Sequence, residues 1–287
     1  APRLVATNQR RQEYRKTPVY DVIDSIPVMY PRYLRPQGRL FHAPSALTMY
    51  AGVLPRIHRT VKEFKPQLIH AHTATPDGYA ALLLGRKLGL VTIVSLRGSD
   101  INVYPFRDRW TLWLTKKVLA EAHRVTAVSN ALKSAAEVIA TPRRPIEVIY
   151  TGCDIQEFTF NIEAHNTIRQ KLGIPSESVV LVFVGSVVRE KGVNELMQSF
   201  CALASKLRGL HLVVVGNGTK ISTLASEAEK GGFDNRVHFV GRRPHREIPG
   251  WLSAGDILVL PSWREGLSNV VVEAMACSRP VVATRVG

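Results

Sequence analysis

Cysteine is scarce in this sequence. Cys153, Cys201 and Cys277 are the only three among 287 residues, and none belongs to a CxxC pair. That excludes a disulfide framework and argues against a cysteine zinc site, and it fits a reducing, cytoplasmic setting. Long apolar runs are also missing: no stretch of about 18 apolar residues exists to cross a bilayer as a helix. The opening residues lack the basic, apolar, small-residue order of a signal peptide. No zinc-finger, RNA-recognition or helix-turn-helix signature occurs, so nucleic acid is not an expected partner. There is no initiator Met, and the chain stops at Thr284-Arg285-Val286-Gly287, just after an apolar run that reads as a buried strand. The expectation is a fragment cut at both ends.

Acidic residues are too few to balance the basic ones, and the net charge is +15. Residues 1–160 carry 23 Lys and Arg against 12 Asp and Glu, whereas residues 161–287 carry 15 against 11. A basic half suggests an anionic partner, either a phosphorylated substrate or an anionic membrane surface. Each basic residue held near anionic lipid contributes ~1 kcal/mol. A plain solvated basic surface is the simpler reading of the same numbers.

What is abundant is apolar sequence: hydrophobic residues make up 45%, enough for a buried core. Residues 1–40 are proline-rich and irregular, with basic clusters at Arg10-Arg11 and Arg15-Lys16 and one short strand near Ile26–Tyr30. A helical pattern follows from Ser45 to Phe64, which Pro55 should kink or split. After Pro66, short apolar runs alternate with amphipathic segments. Strands are expected at Leu68–Ala71, Val91–Leu96, Val125–Val128, Ile146–Ile149, Val179–Val184, His211–Val215, Val237–Val240, Ile257–Leu260 and Pro280–Ala283. Helices are expected at Asp77–Leu88, Arg107–Ala122, Asn130–Ile139, Asn194–Leu207, Lys220–Lys230, Arg246–Ser253 and Asn269–Ala276. Continuous apolar strands separated by helices predict parallel sheets covered on both faces. The rhythm lapses over 155–177, which reads as a linker. The expectation is therefore α/β: two Rossmann-like domains, 1–160 and 161–287, facing a cleft.

The segment richest in chemistry runs from Leu258 to Met275. A strand ends at Pro261, a polar loop follows, and a helix opens at Ser268 or Asn269. Free N–H groups at that helix start attract phosphate. Glu273, one turn into the helix, could reach vicinal hydroxyls, and Glu265 on the loop lies nearer a sugar on the far side of the phosphates. The plainer alternative is two glutamates that merely suit the helix dipole. Phe183-Val184-Gly185-Ser186 and Arg189-Glu190-Lys191-Gly192 form a second loop after a strand. Val213-Val214-Val215-Gly216-Asn217-Gly218 is a strand and a Gly-rich turn, alone a weak dinucleotide signal. In the first half, His70-Ala71-His72 follows a strand. Its two histidines lack a third ligand nearby, so metal is not expected; one packs in the sheet and His72 borders the cleft. Arg97-Gly98-Ser99-Asp100 ends another strand. Arg97 stays protonated and cannot be a base, while Asp100 could be either an acceptor contact or a loop cap.

Together these motifs resemble the retaining glycosyltransferases of family 4, which have the two-domain GT-B fold. The paired glutamates Glu265 and Glu273, Ala254-Gly255-Asp256 before them and Pro280-Val281-Val282-Ala283-Thr284 after them all match in order. The likeness covers about residues 66–287, and Arg97-Gly98-Ser99-Asp100 is similar to the version in glycosyltransferases of teichuronic-acid-type polymer synthesis.

The resemblance implies a metal-independent hexosyltransferase with no cofactor but a nucleotide-sugar co-substrate, a UDP-sugar ahead of a GDP-sugar. It implies a cell-envelope acceptor, glycan or lipid-linked, and a cytoplasmic enzyme with peripheral contact at the inner face of an anionic membrane. Catalytic roles fall to Glu265, Lys191, His72 and Arg97. Donor-binding roles fall to Ser186, Arg189, Lys191, Arg242, Gly266, Leu267, Ser268, Asn269, Val270 and Glu273, and acceptor-side roles to His72, Arg97 and Asp100. The chain departs from the family pattern where Ser186 replaces an Arg, Arg97 a His and Thr151 an Asn. Two other readings remain at this stage: a sugar-nucleotide epimerase of the same fold, and a non-catalytic protein that binds anionic surfaces.

Overall fold

The computed structural model describes residues 17–34 and 42–287, without the side chain of His42. The clusters Arg10-Arg11 and Arg15-Lys16 lie outside the described residues. The chain divides into two compact units, one of residues 1–127 and 132–148 and the other of 128–131 and 149–287.

The first unit opens with a hairpin of β1 (Tyr20–Ile23) and β2 (Ile26–Met29). Asp24 and Ser25 turn between them with φ of 49° and 65°, the double positive φ that a two-residue hairpin turn requires. Only β2 is expected from the sequence; Asp-Ser lacks the glycine that usually marks such a turn. Helix α1 (His42–Phe64) then runs unbroken through Pro55, contrary to the expected kink. The hydrogen bond that proline forfeits would have gone to the Ala51 carbonyl. Ala51 and Pro55 are both exposed, so water can satisfy that carbonyl and the helix is not forced to bend.

The core of this unit is a parallel sheet in the order β3 (Leu68–His72), β4 (Val91–Leu96), β5 (Arg124–Ala127), β6 (Glu147–Val148). Helices α2 (Tyr79–Leu88), α3 (Arg109–Glu121) and α4 (Asn130–Ile139) connect the strands. Asp108 caps α3, its carboxylate accepting from the Thr111 N–H and hydroxyl. Val94, Leu96, Val118, Leu119 and Leu132 are almost fully buried.

In the second unit five parallel strands run in the order β11 (Val281–Ala283), β10 (Ile257–Leu260), β7 (Val179–Val184), β8 (Leu210–Val215), β9 (Val237–Gly241). Central β8 is buried along its whole length. Leu210, Leu212 and Val214 join a core with Leu196, Met197 and Phe200 of α6 (Val193–Ala204) and Leu224 of α7 (Ile221–Lys230). Val213 and Val215 join the opposite core with Trp251 and Leu252 of α8 (Ile248–Ala254) and Ala274 of α9 (Asn269–Ala276). Each fully buried side chain of the size of Phe200 contributes about 1.5–3 kcal/mol. The strands are apolar on both faces because helices cover both.

Two differences from the expected organisation share one cause. The polar stretch expected as a linker contains α5 (Ile162–Lys171), whose only buried residue is Arg169. With no apolar stripe, periodicity cannot reveal it. Arg169, 5% exposed, donates to the Ala254 and Ser178 carbonyls and pairs with Asp256 at 2.7 Å. Asp256 in turn accepts from the Val180 N–H. Phe158 is buried in the same core. Residues from Ile149 onward therefore belong to the second unit, and the division falls earlier than the expected 160/161.

Candidate donor and acceptor sites

In the second unit the loops of interest leave the carboxyl ends of β7, β8 and β10, where ligands bind in such sheets. Their glycines are set by close backbone approach. A Cβ on Gly216 would strike the Gly185 carbonyl, and one on Gly218 the Val187 carbonyl. The Val187 N–H donates to the Asn217 carbonyl at 3.0 Å. Gly216-Asn217-Gly218 is thus a packing turn against the β7 loop. Gly192 has φ 67°, and a Cβ there would strike the Pro261 carbonyl. That contact lays the β7 loop against the β10 loop, and the Trp263 N–H closes the seam by donating to the Glu190 carbonyl at 3.0 Å.

The seam brings predicted site residues together. The Lys191 ammonium donates to Glu265 Oε1 at 2.6 Å, with both side chains partly buried (29% and 14% exposed). The Arg189 guanidinium sits 4.9 Å from the centre of the Trp263 ring. Trp263 is a contact that motif reading missed, although it stands two residues before Glu265. Ser186 is exposed on the same loop.

Beside the pair, α9 begins. Ser268 occupies the N-cap position without a side-chain cap hydrogen bond, so the amides of Asn269 and Val270 are not satisfied by that hydroxyl. Gly266 is buried and Leu267 half-buried in the approach to this helix. A cavity of about 360 Å³ lies here, lined in part by Ser262, Glu265, Gly266, Leu267 and Ser268. The cavity meets one carboxylate and the start of a helix, and the Lys191 ammonium reaches that carboxylate from the β7 loop, a set of groups that suits a phosphate carrying a polar group.

Glu273, 9% exposed, lies further along α9, and its carboxylate is 3.3 Å from His245 Nε2. His245 meets Phe158 edge-on, with ring centres 5.2 Å apart. Sequence reasoning missed His245, whose only signal was its place just beyond Arg242 and Arg243 after β9. Arg242 itself is exposed.

In the first unit the strand ends carry His72 and Arg97. His70 is tied into the sheet: its Nε2 is 2.8 Å from Ser95 Oγ, which is 2.7 Å from Thr126 Oγ1. His72 is exposed and its ring centre lies 4.5 Å from that of His70. Burial, then the neighbouring His70, then Arg97 hold the His72 imidazole below its ordinary pKa, which favours the neutral ring. Asp100 is 1% exposed, and its carboxylate accepts N–H groups from Ala74 (2.8 Å), Arg97 (3.0 Å) and Gly98 (2.8 Å). Burial pushes its carboxyl pKa up, against the pull of those three donors. Of the two expectations for Asp100, the geometry realises the loop-holding one, since the carboxylate is enclosed and engaged by backbone from two loops.

Two α/β units built on parallel sheets, with ligand-sized loops at the strand ends, are the architecture of the GT-B fold. Comparison with known families agrees. Residues 3–157 match Glycosyltransferase Family 4, and residues 178–287 match Glycosyl transferases group 1. The chain belongs to this glycosyltransferase family. It is 33% identical, over 99% of its length and 69% of the relative's, to a Bacillus subtilis protein named for teichuronic acid biosynthesis, TuaC. It is 26% identical to N-acetyl-alpha-D-glucosaminyl L-malate synthase of Bacillus anthracis, covering 77% of this chain and 57% of that one. Among solved structures, Anabaena HepE in complex with UDP-glucose superimposes with a TM-score of 0.70 at 24% identity, over 84% of this chain and 65% of that one. Sucrose-phosphate synthase from Thermosynechococcus elongatus gives 0.76 at 19% identity, over 95% and 69%. The chain thus spans about two thirds of the length of several of its relatives.

Proposed function

We propose that this protein transfers a hexosyl group from a UDP-sugar to a glycan or lipid-linked acceptor of the cell envelope, with retention at the anomeric carbon. The observation that carries this reading is the Lys191–Glu265 pair, 2.6 Å apart beside the start of α9. As the bond between the anomeric carbon and the diphosphate breaks, negative charge grows on the leaving phosphate. Lys191, Arg189 and the first amides of α9 are the groups suited to stabilise it, Ser186 adding a hydroxyl on the same loop. Glu265 would leave Lys191 for the sugar hydroxyls or share it with the phosphate. Glu273 holds the ribose hydroxyls, steadied by His245, and Arg242 borders the base. His72 and Arg97 serve the acceptor, with Arg97 suited to an anionic one and Asp100 positioning the loop that carries it. The acceptor hydroxyl attacks from the face that the diphosphate leaves, and its proton passes to the departing phosphate oxygen. Family membership, the TuaC relative and the UDP-glucose complex of HepE support the donor class and the envelope setting. A cytoplasmic location at the inner face of the membrane belongs to the same proposal.

A thermal-shift screen with uridine and guanosine sugar nucleotides tests the donor, and stabilisation by uridine compounds is expected. Lys191→Ala should lower the transfer rate about 10²–10³-fold, the usual loss of one charge-stabilising donor, at a largely unchanged melting temperature. Turnover near that of the unsubstituted protein would remove Lys191 from the mechanism.

A further inference from the structure

A cavity of about 630 Å³ opens in the first unit, at the amino ends of β4 and β5 and between the carboxyl ends of α2 and α3. It is larger than the cavity of about 360 Å³ beside α9, and it falls within the usual size of a small-molecule site, about 300–1,000 Å³. Arg97 and its loop stand at the opposite end of β4. The cavity therefore lies away from the carboxyl ends of the strands, where ligands of such sheets ordinarily bind. The donor and acceptor roles leave it unused.

Leu82, Leu90, Val91 and Ala120 give the cavity apolar walls. Its polar side chains are short of acceptors. Glu121 is already matched, by a close ion pair with Arg86 across α2 and α3 and by Lys117 at 3.8 Å. Arg143 is exposed, and among the described residues its guanidinium has no hydrogen-bond or ion-pair partner. His123 Nδ1 accepts the Thr92 N–H at 3.1 Å, so the neutral ring carries its proton on Nε2, as a donor. Thr92 is 1% exposed, and its hydroxyl has no hydrogen-bond partner among the described residues. That hydroxyl packs under Gly85, where a Cβ would strike it. A buried hydroxyl is ordinarily satisfied. One cavity thus gathers three donors: a guanidinium, an imidazole N–H and an enclosed hydroxyl.

We infer that this cavity is a second ligand site, for a small carboxylate with an apolar body. A carboxylate only accepts hydrogen bonds, and it fits the fork of an arginine in bidentate fashion. Arg86 and Arg143 against Glu121 leave one positive charge in the lining, and the carboxyl ends of the two helices offset part of it. That balance suits a singly charged carboxylate better than a phosphate, which carries up to about two negative charges. The apolar walls take the body of the ligand. The site is independent of the transferase reading, because its occupancy is measured without donor or turnover.

The test is titration of the full chain with hexanoate, followed through its backbone amide resonances. Saturable shifts at Thr92, His123 and Arg143 are expected. Hexanol, which lacks the charge, acetate, which lacks the body, and inorganic phosphate should each bind about tenfold more weakly or worse. Arg143→Ala should weaken hexanoate binding about tenfold, the usual loss of one hydrogen-bonded charge. Ala120→Phe fills the cavity from an exposed position of α3 and should abolish binding. Melting temperature and UDP affinity, measured on both variants, should stay unchanged and so exclude misfolding. Absence of saturable shifts at these three amides would overturn the inference. Hexanoate affinity retained in either variant would also overturn it, as would phosphate or hexanol binding as tightly as hexanoate.

Discussion

The two units hold their working loops in different ways. In the second, the β7, β8 and β10 loops are locked by backbone against backbone: Gly192 on Pro261, Gly216 on Gly185, Gly218 on Val187. In the first, the side chain of Asp100 ties the loop after β3 to the loop after β4 through three backbone N–H groups. Backbone contacts leave the surrounding side chains free to face a ligand, and they tolerate almost no substitution at the glycines. A carboxylate pin leaves the loop sequence open but concentrates the whole arrangement in one residue. On the proposed function, the rigid mould would take the diphosphate of the donor and the pinned loop the acceptor.

Removing the pin should have the largest effect. Asp100→Ala leaves three amides without their acceptor inside the first unit, at a cost of about 2–4 kcal/mol. A clear fall in melting temperature is expected, together with loss of acceptor use, while UDP binding in any protein that remains folded persists. A melting temperature within a degree or two of the unsubstituted protein would mean that the loops stand without Asp100.

Gly192→Ala attacks the other device. The new Cβ meets the Pro261 carbonyl at a φ of 67°, so the β7 loop must withdraw from the β10 loop and take Lys191 from Glu265. A cost of about 1–3 kcal/mol is expected, of the order of overpacking a core, with UDP affinity down at least tenfold by calorimetry. Gly152→Ala is the control. No atom lies within 4 Å of its Cβ, so it should stay within about 0.5 kcal/mol. Equal behaviour of the two variants would show that the close contact is immaterial.

These two devices also mark what could be read from the sequence. The strands were legible because both faces are apolar; Val91–Leu96, Val179–Val184 and Ile257–Leu260 begin and end where the apolar runs do. The loops proposed to carry the chemistry stand out as motifs, since glycines at strand ends mark where backbones approach closely. Pairings do not. Nothing local says that Lys191 meets Glu265, that His245 meets Glu273, or that Arg189 lies over Trp263, because each joins residues from different loops. Helix α5 escaped because its one buried side chain is a charged arginine, satisfied by carbonyls and a carboxylate far along the chain.

Glu273 sharpens the comparison within the second unit. It is proposed for the moulded site, yet among the described residues its carboxylate has His245 as its polar partner, at 3.3 Å, and that histidine's side chain is 67% exposed. Glu273→Ala should therefore weaken UDP binding about tenfold, near 1.4 kcal/mol, and leave the melting temperature nearly unchanged. Unchanged UDP affinity by calorimetry would remove its assignment to the ribose.

The smallest effect separates two histidine pairs, one in each unit. His70 and His72 stand on one strand, β3, with His72 at its carboxyl end and in contact with solvent. His211 and His238 stack across β8 and β9 with ring centres 5.5 Å apart, and His211 is 6% exposed. Burial first, then His238, Arg236 and Arg169, lowers the His211 pKa from 6.5 to about 4. Between those values the unfolded chain binds a proton that the folded chain refuses, so stability rises with pH there. The contribution of His211 is fully present above pH 6.5 and is lost as pH falls toward about 4. His211→Leu should flatten that part of the melting-temperature profile and leave the profile above it unchanged. A wild-type slope retained in the variant would move the acid sensitivity elsewhere, His238 being next, since burial lowers its pKa too. The pair in the first unit should show a different balance: His72→Gln alters the acid limb of the transfer rate, and the lowered pKa of His72 adds a slope to stability in the same direction as that of His211 but a smaller one.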